Sequence, residues 1–132
     1  MANQEKITLP ADRLPVIRVV AMPKDTNPGG SIFGGWILSQ IDTAASIPAL
    51  ERAKGRVATV AVNSVEFHEP VFVGDMISCY AEIVNTGKSS ITVKVDVYAE
   101  RNPANLETVK VTEAQLTYVA LDENRRPRVL PD

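Results

Sequence analysis

The chain has 132 residues, 45% of them hydrophobic and 23% charged, which fits one globular domain and excludes intrinsic disorder. A formal net charge of -2 argues against a general nucleic-acid binder, and no run approaches the roughly eighteen apolar residues that a membrane helix requires. One cysteine, Cys79, excludes an internal disulfide, and one histidine, His68, leaves no dense Cys/His cluster for zinc. Residues 1–10 are polar and lack the apolar core of a secretory signal. They read as a flexible tail before a single domain over residues 11–132, in a cytoplasmic protein.

Val16 to Met22 is rich in β-branched residues and reads as a first strand. Lys24 to Ser31 is a dense turn signal, with Asn27-Pro28 and two adjacent glycines. From Trp36 to about Arg52 the apolar residues Ile37, Leu38, Ile41, Ala44, Ala45 and Ala49 fall at helical spacing, with Pro48 inside the run and Gly55 as a stop. Val57 to Phe67 alternates through Val60 and Val62, then slips phase to Val65 and Phe67, which predicts a β-bulge at Asn63-Ser64. Met76 to Val84 reads as a strand, Asn85 to Lys88 as a tight hairpin, and Ile91 to Val97 as its return. Thr108 to Leu121 makes a long last strand before a polar, basic tail. One helix cannot supply the crossovers of a parallel sheet, so the order predicts an α+β fold, a curved antiparallel sheet around one central helix. Such a sheet leaves open edges, and pairing with a second copy follows.

Chemistry concentrates between Asp25 and Ser46. Gly34 and Gly35 stand at the predicted helix start, where backbone N–H groups lack helical acceptors and face the positive end of the dipole. Such amides stabilise a developing oxyanion, and glycines let a ligand approach them. The plain alternative is tight loop-to-helix packing. Asp42 lies two turns on, with Leu38, Ala45, Ser46 and Ala49 on its helical face. A carboxylate on that small, apolar face is either a partner-bound structural group or a working base. Asn27 fits an Asx turn as well as a substrate contact. His68 follows a strand end, the usual place of a solvated histidine, and Cys79 falls on an apolar strand face. Lys54, Arg56, Lys88, Arg125, Arg126 and Arg128 make a patch suited to a small phosphorylated ligand or simply a solvated surface.

The run Asn27-x-x-Gly30-x-x-Phe33-Gly34-Gly35-x6-Asp42 resembles the signature of hot-dog-fold acyl-CoA thioesterases. The segments IFGGWILSQID, RVATVAVNSVEF and VNTGKSSITVKVDV are similar to runs in the bacterial YciA-like acyl-CoA hydrolases, and the likeness spans residues 14–131. The resemblance implies that Asp42 is the catalytic carboxylate and that the Gly34 amide, with Gly35 beside it, polarises the thioester carbonyl. It further implies that Asn27 orients substrate or water, and that Ser46 occupies the place of a water-holding hydroxyl. Gly87, Lys88, Ser89 and Ser90 match a segment that contacts coenzyme A, and Arg125, Arg126 and Arg128 are placed to meet its phosphates. Many hot-dog enzymes have His-Gly-Gly where this chain has Phe33-Gly34-Gly35, which removes a histidine role there.

The expected activity is hydrolysis of acyl-CoA to a free acid and coenzyme A, without metal or redox cofactor, coenzyme A being part of substrate and product. The family implies a site between subunits and a homo-oligomer, a hexamer built from three dimers being favoured. Two rivals are a hot-dog enoyl-CoA hydratase or dehydratase and a non-catalytic acyl-CoA-binding module. The hydratase motif continues to a histidine where this chain has Gly30, and the binding module leaves Asp42 with the glycine pair unexplained.

Overall fold

A computed structural model describes residues 6–132; the part of the expected tail at residues 1–5 lies outside the described residues, and residues 6–10 carry no regular structure. The elements are β1 (Ile17–Val20), α1 (Gly34–Ala53), β2 (Val57–Phe67), β3 (Met76–Thr86), β4 (Ser90–Arg101) and β5 (Glu107–Ala120). All five strands pair antiparallel in the order β1-β3-β4-β5-β2, and α1 packs against β2, β3, β4 and β5. This is the helix-in-sheet architecture that the hot-dog resemblance implies.

The helix lies close to the sheet because its buried face is mostly small. Ile37, Ile41, Ala44, Ala45, Ala49 and Ala53 are buried there, against strand residues such as Val93, Val95, Leu116 and Tyr118. Truncating Ile41 to alanine in such a core costs about 2–5 kcal/mol. The helix begins two residues earlier than the apolar spacing indicates, so Gly34 and Gly35 form its first turn. It continues past Pro48 to Ala53. Its stop also differs from expectation: Lys54, not Gly55, takes the left-handed cap conformation at φ 52°. A Cβ at Gly55 would sit 2.9 Å from the Arg128 guanidinium, so a larger residue there would push that side chain aside.

The phase slip in β2 is real: register shifts fall between Val62 and Ser64, and again between Thr59 and Ala61. The last eleven residues are more ordered than a basic tail implies. Leu121 bridges Pro127 across a tight turn, the Leu130 amide donates to the Lys88 carbonyl at 2.9 Å, and the Leu130 side chain is buried. Among the described residues, no helix is long and apolar enough to cross a membrane.

Candidate active site

The start of α1 lacks the usual cap. Phe33 is the N-cap residue and has no side-chain acceptor to offer; the Trp36 amide turns back to the Phe33 carbonyl at 3.1 Å. The amides of Gly34 and Gly35 have no acceptor among the described residues. They are thus donors available to a ligand, at the end of the helix that favours negative charge. The preceding loop is tied down on both sides. Asp25 accepts the Phe33 amide on its carbonyl at 3.2 Å, Ile32 donates to Val71 at 2.8 Å, and Gly30 turns the chain at φ 95°. Beside Gly34 opens a groove of about 370 Å³, lined by Ile32, Ile37, Phe67, His68 and their neighbours.

Asp42 is half-buried on α1 and is bonded to two strands. Its Oδ1 accepts from Thr59 Oγ1 of β2 at 2.7 Å and from the Tyr118 hydroxyl of β5 at 2.6 Å. Its Oδ2 accepts no hydrogen bond among the described residues. Neither Thr59 nor Tyr118 is singled out by the sequence reading. Tyr118 carries a signal that periodicity alone does not use: it sits on the buried phase of β5, and a buried tyrosine hydroxyl needs a partner.

Within one chain the two halves of this site stand apart. Asp42 lies eight helical steps beyond Gly34, about 12 Å along the axis, and does not line the groove beside Gly34. One thioester group cannot touch both in the same subunit.

The other expected residues fall into three groups. Asn27 shapes its own loop: its Oδ1 accepts the Gly29 amide at 2.9 Å and one Nδ2 hydrogen goes to Ser31 Oγ at 3.1 Å, the Asx-turn arrangement, which leaves the second Nδ2 hydrogen for another partner. Ser46 donates to the Thr43 carbonyl at 2.7 Å, one turn along α1 from Asp42. Gly87, Lys88, Ser89 and Ser90 form the β3–β4 hairpin tip, and backbone bonds join it to Ala120 and Leu130. This gathers exposed Lys88, Arg125 and Arg126 at the end of the sheet where β2 begins with Val57. Arg128 is different. Its Nε donates to the Leu121 carbonyl at 2.8 Å and its Nη2 to the Ala53 carbonyl at 2.6 Å, so it closes the C-terminus of α1 and ties the tail to it.

His68 lines the groove beside Gly34, with Nε2 3.9 Å from Glu66 and 3.8 Å from Glu113. Glu113 is also paired with Lys110, whose hydrogen bond holds the carboxyl below the usual range. The ammonium bonds Glu113 Oε1, and His68 lies beside Oε2. Burial pushes the Cys79 thiol up to about 12, which removes it as a nucleophile and agrees with its place on the apolar strand face.

Comparison with known proteins shows the family and the fold. A family model described as the thioesterase superfamily matches residues 29–104. The acyl-CoA thioester hydrolase YciA of Escherichia coli K12 is 44% identical over 118 residues, 88% of this chain and 89% of that protein. A hexameric hot-dog-fold thioesterase of Campylobacter jejuni superposes with a TM-score of 0.86 at 46% identity, covering 90% of this chain and 91% of that one. A hexameric broad-specificity acyl-coenzyme A thioesterase, solved with an aspartate changed to alanine, gives a TM-score of 0.85 at 45% identity over 89% of this chain and 86% of that one. With this sheet and helix, and at this identity over nearly all of its length, the chain belongs to the thioesterase superfamily and has the hot-dog fold.

Proposed function

We propose that this protein is an acyl-CoA thioesterase whose site is completed by a second copy of the chain. The observation that carries the reading is the combination of free helix-start amides at Gly34 with a strand-held carboxylate at Asp42, near opposite ends of the edge strand β2. The edge of β2 supplies the route to assembly. Phe67 lies against Gly34, where a Cβ would be 3.5 Å from its ring, and Thr59 is bonded to Asp42. An antiparallel β2–β2 pairing about a two-fold axis near Asn63 sets each chain's Phe67 end against the other's Thr59 end. The thioester carbonyl then meets the Gly34 amide of one subunit and the Asp42 carboxylate of its partner. Hexameric relatives support further assembly as three such dimers.

The chemistry needs no cofactor. As the carbonyl carbon is attacked, its oxygen gains charge and the Gly34 amide, with Gly35 beside it, stabilises that charge. Asp42 either takes a proton from the attacking water or attacks the carbon itself. In the first route the collapsing intermediate expels the coenzyme A thiolate, which leaves with the proton that Asp42 held. In the second the tetrahedral adduct expels the thiolate and becomes an acyl-aspartyl anhydride; water then cleaves the anhydride to free acid and the restored carboxylate, and its remaining proton goes to the thiolate. The hairpin residues Gly87, Lys88, Ser89 and Ser90, with Arg125 and Arg126, offer amides, hydroxyls and positive charge to the nucleotide phosphates. Arg128 holds that turn in place. An acyl-CoA substrate favours the cytoplasm.

The test is thiol release from short, medium and long acyl-CoAs, with Asp42→Ala run beside the parent. The expected result is turnover by the parent and a loss of at least about 100-fold in the variant. Binding of acyl-CoA by both proteins with no thiol release overturns the reading in favour of a binding module.

A further inference from the structure

The carboxylate at Asp42 has two chemically equal oxygens, yet the fold treats them unequally. Tyr118 is 1% exposed, its ring packed in the core beneath α1, and its hydroxyl lies 2.6 Å from Asp42 Oδ1 and 2.8 Å from the Asp42 main-chain carbonyl. Thr59 donates to the same Oδ1 from the other strand at 2.7 Å. Two short bonds from donors on two paired strands fix both the position and the plane of the carboxylate, and bonds to an ionised acceptor are the strong kind. Oδ2 is left without a donor among the described residues.

We propose that Thr59 and Tyr118 are positioning residues that saturate Asp42 Oδ1 and reserve Oδ2 for the thioester. The inference rests on the thioesterase reading and adds to it which oxygen reacts and what aims it. A carboxylate held by one strand alone can turn about its Cβ–Cγ bond and exchange its oxygens; one held from both cannot. The Tyr118 phenol keeps its proton throughout the working range, because burial raises it above the ordinary tyrosine value and the bond and charge of Asp42 raise it further. It is therefore a donor at every pH at which the enzyme works. Phenylalanine at 118 preserves the packed ring and deletes only the hydroxyl, and valine at 59 is the matching deletion on β2.

The experiment compares kcat and KM for acyl-CoA hydrolysis in Tyr118→Phe, Thr59→Val, the double variant and Thr59→Ser, with melting temperature followed alongside. Each single deletion is expected to lower kcat by about 10-fold with KM within about twofold, since misaiming acts on the reacting atoms and not on substrate binding. The double variant is expected to lose less than the product of the singles, because either deletion alone already frees the carboxylate to turn. Thr59→Ser, which keeps the hydroxyl, is expected to restore most of the lost rate. Unchanged kcat in the folded double variant overturns the inference, as does a loss confined to KM or to melting temperature. A parent protein that releases no thiol from any chain length instead overturns the thioesterase reading on which the inference rests.

Discussion

The two edges of the sheet are built differently. β1 is four residues long and carries Arg18, whose guanidinium reaches across to Ser78 and Glu100 of its neighbours. It is short and charged, the usual way of blunting an exposed edge. β2 is eleven residues long and leaves Val60 at 57%, Val62 at 46% and Phe67 at 52% exposure. A long apolar edge in solution invites another strand, and here the invitation coincides with the chemistry: Thr59 at one end of β2 holds Asp42, and Phe67 at the other lies on Gly34. The difference teaches that β1 closes the subunit while β2 leaves it half-finished.

The largest expected effect comes from breaking the edge itself. Val60→Lys is expected to dissociate the β2 pairing, seen as a smaller species by sedimentation, and to abolish thiol release, whereas Val20→Lys on β1 leaves both unchanged. Next is the amide at the helix start. Gly34→Pro deletes the N–H at a first helical position that tolerates proline, after a Phe33 already extended at ψ 146°, so the fold is retained. Its rate is expected to fall by about 100-fold or more, while Gly34→Ala, whose Cβ meets Phe67 at an ordinary distance, stays close to the parent.

Smaller effects belong to the far end of the sheet. Reversing Lys88, Arg125 and Arg126 to Glu is expected to raise KM for acyl-CoA by about tenfold, with little change in kcat, and to weaken its salt dependence. Arg128→Ala is expected to act on stability, costing about 2 kcal/mol through its two lost bonds to Leu121 and Ala53, read as a lower melting temperature.

Local signals carried most of the fold. The phase change from Val62 to Val65 marks the bulge because one slipped residue turns every later side chain over. The shift at Val60 leaves no such trace, since its neighbours are exposed on either phase. The apolar spacing starts α1 only at Trp36 because glycine adds nothing to a periodic face, whereas the glycine pair marks the true start through its free amides. For the site, Asp42 and Gly34 are legible through composition, spacing and family likeness. Thr59 and Tyr118 are not, because they reach Asp42 across 17 and 76 residues of chain and no periodicity records such a contact. Asn27 is legible in both senses at once: its Oδ1 and one Nδ2 hydrogen build its own turn, and a second amide hydrogen is left over for another partner.

The most direct test of a site shared across β2 is subunit complementation. Asp42→Ala and Gly34→Pro chains, each inactive alone, are mixed by refolding or co-expression, and thiol release is measured on the purified mixed oligomer. Random pairing leaves about a quarter of the sites with both an intact Gly34 from one chain and an intact Asp42 from the other, so about a quarter of the parent activity should return. Mixed oligomers that stay inactive would contradict the account and place both groups of each site in one subunit.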